Sequence, residues 1–123
     1  MRESPIRDKS FEFSVLVVKL ARKLKETTRD YELISQLVKS GTSIGANVVE
    51  AQSGQSTRDF IAKMGISLKE AHETRYWLDL FYKVESINEE QYRFMQKKIE
   101  EIIKLLTSII KTSKINLESK NPR

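Results

Sequence analysis

Residues 36–52, QLVKSGTSIGANVVEAQ, constrain the fold of this chain more than any other stretch. Leu37, Ile44, Val48 and Ala51 recur at helical spacing, yet Ser40, Gly41, Thr42, Ser43, Gly45 and Asn47 between them are poor helix formers. Each interior Gly costs roughly 1 kcal/mol relative to Ala. Close packing of a second helix is the usual compensation. Gly41 and Gly45 stand one turn apart and form a ridge low enough to let another backbone approach. A GxxxG pair in an apolar segment would signal membrane helix dimerisation, but these surroundings are too polar. Nor is it a phosphate loop, because no Lys-Ser/Thr follows the last Gly and no strand precedes it.

The rest of the sequence supplies helices for that ridge to meet. With 123 residues the chain is one domain's worth, and its two prolines, Pro5 and Pro122, stand near the ends. The periodicity predicts helices over about 10–27, 31–52, 57–84 and 89–112, followed by a frayed tail over 113–123. Ser10, Asp30, Ser56 and Asn88 are the expected N-caps, with Glu12, Asp59 and Gln91 in the first turns. Phe13, Leu16, Val17, Leu20 and Leu24 mark the first core stripe. Phe60, Met64, Leu68, Ala71, Leu78 and Phe81 mark the third, and Met95, Ile99, Ile102, Leu106 and Ile109 the fourth. The second helix has two stripes, one through Leu33, Leu37, Ile44, Val48 and Ala51 and one through Val38, Gly41, Gly45 and Val49, as expected of a helix with two neighbours. Connections of about 3–5 residues favour antiparallel neighbours. No segment sustains strand alternation, so the expected fold is all-α, an antiparallel up-down-up-down four-helix bundle.

Composition narrows the function classes. There is no Cys, which removes disulfides and thiolate metal sites and fits a cytoplasmic protein. No apolar run approaches the roughly 18 residues needed to span a bilayer, and MRESPIRDKS lacks a signal peptide's apolar segment. The net charge is +5. Such a balance permits nucleic-acid contact, with solubility as the plainer explanation. Lys19, Arg22, Lys23 and Lys25 are candidate phosphate contacts on the first helix, and Lys111 and Lys114, followed by Lys120 and Arg123, form a second group.

Asn47 and Glu50, three apart, project from neighbouring positions of one helix face and are expected to be partly buried. Arg75 and Lys63 are candidate partners. A register-fixing polar network of Asn47, Glu50 and Arg75 is the expectation, with a ligand or metal site as the alternative. The metal alternative fails on spacing. Di-iron bundles use Glu-x-x-His on two helices, whereas the single His72 sits in Glu70-Ala71-His72-Glu73. Without Cys, and with no Ser and Asp at signature spacing from His72, no catalytic residue, metal ligand or cofactor is assigned. Trp77 and Tyr82, in a segment too aromatic for one helix face to bury, are candidates for a subunit interface.

The segment QLVKSGTSIGANVVEAQSGQSTRDFIAKMGISLKEAHETRYWL resembles the 23S rRNA intervening-sequence proteins. Their hallmark, Gln-Leu-x-x-Ser-x-x-Ser-Ile-x-x-Asn-x-x-Glu, is met by Gln36, Leu37, Ser40, Ser43, Ile44, Asn47 and Glu50. A Ser/Thr-capped helix with Phe60, Ser67 and Glu70 follows. The likeness extends from about Phe11 to Ile110, with Ala51-Gln52 where many members have Glu-Gly. It implies an antiparallel four-helix bundle in a homopentameric ring, like the related accessory variability determinant of diversity-generating retroelements, which associates with reverse transcriptase and nucleic acid. It transfers no catalytic residue. The resulting expectation is a non-enzymatic oligomeric bundle that associates with RNA, DNA or a nucleic-acid enzyme. The alternative is an oligomeric protein-binding adaptor without nucleic-acid contact.

Overall fold

The computed structural model describes residues 4–120. Over them the chain forms four α-helices: α1 (Pro5–Thr27), α2 (Tyr31–Gln52), α3 (Thr57–Lys83) and α4 (Glu89–Lys120). No strand occurs among the described residues.

Local chemistry fixes most of the helix ends. Ser56 Oγ accepts from Asp59 N at 3.1 Å to open α3. At α4 the exchange is reciprocal: Gln91 N donates to Asn88 Oδ1 at 2.8 Å, and Asn88 N donates to Gln91 Oε1 at 2.9 Å. Two orphan amides are thereby satisfied. α3 ends in a paired wrap, Glu85 N to Tyr82 O and Ser86 N to Phe81 O, which holds Glu85 at φ 64°. That left-handed position is usually given to Gly.

Three expected ends differ. α1 begins at Pro5, capped by Ser4, and Ser10 is a buried mid-helix residue rather than a cap. Pro at the first helical position costs no hydrogen bond, so Pro5 opens the helix instead of lying outside it. Asp30 makes no side-chain cap to α2; its own amide donates to Thr28 Oγ1 at 3.1 Å. α4 does not fray after residue 112 but continues to Lys120, where Ser113, Asn116 and Leu117 line a cleft against Ser4, Arg7 and Asp8 of α1. Pro122 and Arg123 of the expected tail lie outside the described residues.

One core joins all four helices. Phe13, Val17 and Leu24 of α1, Ile34, Leu37 and Ile44 of α2, Met64, Leu78 and Phe81 of α3, and Ile99, Ile102 and Leu106 of α4 are essentially inaccessible. Burial of each such side chain stabilises by about 1.5–3 kcal/mol. Pairings fix the register. Along α1 and α2, Ser4 meets Gln52 and Ser10 meets Gly45, while Val17 meets Gly41. Along α2 and α3, Lys63 meets Glu50, Ser67 meets Ile44 and Thr74 meets Ser40. Partner numbers therefore run in opposite senses along both pairs. α2 packs closely on both α1 and α3, whereas α1 and α4 meet more sparsely than any other neighbours.

The Gly ridge explains α2's close fit to α1. A Cβ at Gly41 would lie 2.8 Å and 2.9 Å from the two methyls of buried Val17. A Cβ at Gly45 would lie 3.3 Å from the Ser10 carbonyl oxygen. Gly41→Ala should therefore destabilise by about 1–3 kcal/mol, because a stiff β-branched neighbour has to move. Gly45→Ala should cost less, since a gain of roughly 1 kcal/mol in helix propensity offsets a milder squeeze. Gly45→Leu should cost more, because it drives into backbone. Urea unfolding midpoints of the three variants test this order, and midpoints equal to the parent's would show that the ridge does not set the helix separation.

Candidate nucleic-acid interface

The basic residues of α1 occupy its outer surface because the helical period sends Phe13, Val17, Leu20 and Leu24 inward. Lys19, Arg22, Lys23 and Lys25 are all exposed. Lys19 and Lys23, four apart, stand on one face with Arg22 beside them. Lys25 turns to the other side, where it shares a depression with Tyr31, Ile34, Val38 and Lys39 of α2. Lys111 and Lys114 are exposed on the last turns of α4. That end of α4 lies against the start of α1, about 15 residues or roughly 22 Å of helix away from Arg22. The two basic groups thus lie at opposite ends of the molecule and do not form one patch.

A larger asymmetry emerges when charge is assigned to elements. α1 and α4 together carry thirteen Lys and Arg against eight Asp and Glu. α2 and α3 carry six of each. The α1–α4 layer therefore holds an excess equal to the whole net charge of +5.

The expected Asn47–Glu50–Arg75 network is not the one that forms. Asn47 Nδ2 donates to Ser43 O of its own helix at 2.8 Å. Glu50 is exposed, with 60% of its side chain accessible, and meets Lys63 at 3.3 Å. Arg75 instead faces His72 Nδ1 at 3.2 Å, one turn back on α3, and His72 itself is exposed. Asn47 and Glu50 are separated because Asn47 lies nearer the buried side of α2 while Glu50 faces outward. The buried polar contacts use smaller residues. Thr74 Oγ1 bonds Ser40 Oγ at 3.0 Å, and Ser67 Oγ donates to Ile44 O at 2.8 Å. Ser40, Ser67 and Thr74 are fully buried, so these bonds tie α2 to α3 at fixed register. Nearby, burial raises the Glu70 carboxyl pKa, helped by the charge of Glu73, while Lys39 and Lys69 pull it back.

The aromatic candidates divide. Trp77 is half-buried against the core, its ring edge-on to Tyr76 at 5.0 Å, and its Nε1 donates to Glu73 at 3.5 Å. Tyr82 stacks on Tyr92 of α4 with centroids 4.1 Å apart, so much of its ring is engaged within the chain. The Tyr92 hydroxyl donates to Asp79 Oδ1 at 2.6 Å, and this bond, with some burial, raises its pKa. Two phenylalanines that the stripes passed over are more exposed than either candidate: Phe11 is 68% and Phe94 49% accessible. Both border a groove between α1 and α4. The signal was their phase, since Phe11 stands two residues before the core position Phe13 and Phe94 directly before Met95. Among the described residues, no three His, Asp or Glu gather where they could hold a metal ion.

The chain matches the 23S rRNA-intervening sequence protein family over residues 2–108. It is also similar to the crystal structure of a protein of unknown function from the S23 ribosomal protein family of Bacteroides thetaiotaomicron VPI-5482. The TM-score is 0.84 at 48% sequence identity, covering 86% of this chain and 98% of that one. No curated protein matches. A match across most of the chain, supported by a solved relative of the same helical fold, leads to one conclusion: the chain belongs to the 23S rRNA-intervening sequence protein family.

Proposed function

We propose that this protein is a non-enzymatic, antiparallel up-down-up-down bundle that assembles as a cytoplasmic homopentameric ring and associates with RNA or DNA, or with an enzyme acting on them. The observation that carries the reading is the division of the surface. The α1–α4 layer holds the excess positive charge, while the α2–α3 layer is neutral and partly apolar. A polyanion is drawn to the first and a second copy to the second.

Self-association is supported by Gly65. It stands in the exposed middle of α3, and a Cβ there would meet nothing within 4 Å. An exposed mid-helix Gly forgoes roughly 1 kcal/mol without serving any packing inside the chain. Close approach of another chain would use it. Ile66 beside it is 45% accessible and Val49 on α2 40% accessible, as suits a surface that closes on a neighbour. Part of Trp77 and Tyr82 remains available to the same purpose.

Light scattering coupled to size exclusion should give about five times the 14.3 kDa chain mass. Gly65→Leu should lower that mass while far-UV circular dichroism stays helical, because the position is exposed and a Cβ there has open space around it. A parent that is monomeric at micromolar concentration contradicts the assembly; an unchanged mass for Gly65→Leu contradicts this placement of the contact.

Nucleic-acid association should be steeply salt-dependent, because phosphate neutralisation releases counterions, and repetition round a ring adds avidity. Replacing Lys19, Arg22 and Lys23 together by Gln should lower both the affinity and the slope of log affinity against log salt. The measurement is a titration of labelled single-stranded RNA and duplex DNA at two salt concentrations. Absence of binding to either at low salt would contradict the nucleic-acid reading and favour an oligomeric adaptor.

A further inference from the structure

Sparse packing between α1 and α4 leaves a groove of about 330 Å³ on the basic side of the molecule. Val15 and Leu16 line its α1 wall, and Phe11 and Phe94 stand at its edge. The Lys98 ammonium lies 5.6 Å from the centre of the Phe94 ring. Of the two carboxylates that line the groove, Glu101 is paired with Lys9 at 3.3 Å, which leaves Glu12. Lys19 and Lys23 follow Val15 at successive four-residue steps, so the basic face of α1 continues the groove's own wall.

We propose that this groove holds a single-stranded nucleic-acid segment, with unpaired bases stacked on Phe11 and Phe94 and phosphates passing along Lys98, Lys19 and Lys23. The inference rests on the nucleic-acid reading above and adds to it the strand state and the seat. Two exposed rings beside cations form a stacking platform, which takes any base because every base has a π face. A duplex keeps its base faces stacked on one another and would reach only the lysines. A partner helix would suit the apolar floor, but although the groove's own two lysines and two glutamates balance, exposed Lys19, Arg22 and Lys23 continue its α1 wall, and that run of cations favours a polyanion.

The test uses the full-length protein, with labelled 15-nucleotide oligo-U, oligo-dT and a 15-base-pair duplex titrated in parallel. Phe11→Ala with Phe94→Ala should weaken both single strands by about tenfold or more while leaving duplex affinity and the salt slope nearly unchanged. Replacing both by Tyr, which still stacks, should restore binding. Glu12→Gln should tighten single-strand binding, since it removes the unpaired negative charge from the phosphate path. Single-strand affinity unchanged in the double Ala variant, with loss in the Lys19, Arg22 and Lys23 variant, would overturn the groove and leave nucleic-acid association standing. No binding by the parent to any probe would overturn both. Weaker binding by Glu12→Gln would overturn the phosphate path. A fall in assembly mass in the double Ala variant would assign the groove to a second copy of the chain and overturn the proposal.

Discussion

The separation of α1 and α2 depends on having no side chain at two positions. At Gly41 the isopropyl group of Val17 occupies the space of a Cβ, and at Gly45 the backbone of Ser10 comes almost as close. This contact brings α2 near enough to bury Ile34, Leu37, Ile44 and Val48 fully. It also brings Gln52 to the start of α1, where its amide donates to Ser4 Oγ at 2.7 Å and its carbonyl accepts from Arg7 at 3.3 Å. Close packing on one side of the bundle is matched by looseness on the other. With α2 held tightly between α1 and α3, α1 and α4 close only sparsely, and the groove between them remains.

Small polar residues do in this core what large charged ones were expected to do. Ser40, Ser67 and Thr74 satisfy their hydroxyls by short bonds between α2 and α3 and within α3, with no charge to desolvate. A buried carboxylate would require a dedicated cation. Glu50 avoids that cost by remaining exposed with Lys63. Three residues of the family hallmark are thereby explained by packing: Ser40 by its bond to Thr74, Ile44 by its fully buried side chain and its carbonyl bond to Ser67, and Leu37 by its place in the core.

Four helices, the α3 and α4 caps and the Gly ridge were legible in the sequence, because each follows from local stereochemistry or a clear apolar period. The start of α1 is less legible, because Ser10 with Glu12 soon after it has the look of a cap, whereas Ser4 caps the helix and Pro5 takes its first position. The last turns of α4 were missed because SKINLESK has no continuous apolar stripe; those turns lie against the first turn of α1, a tertiary contact that periodicity does not reveal. Buried Ser40, Ser67 and Thr74 could not be told from surface hydroxyls until their partners were known. Phe11 and Phe94 were hidden for a similar reason, as each adjoins a core stripe without belonging to it. The basic residues were legible as residues but not as surfaces, because only the fold shows that Lys19 and Lys111 lie at opposite ends.

The central claim is that the two layers face different partners, the α1–α4 layer nucleic acid and the α2–α3 layer other copies of the chain. Hydroxyl-radical footprinting, which reads side-chain accessibility, tests both halves in one experiment on the assembled protein with and without oligo-U. The account predicts that Phe11 and Phe94 are labelled in the free protein and protected on RNA addition, whereas Ile66 and Val49 are protected from the start and unchanged by RNA. The opposite pattern, with RNA protecting Ile66 and Val49 while Phe11 and Phe94 stay open, would contradict it.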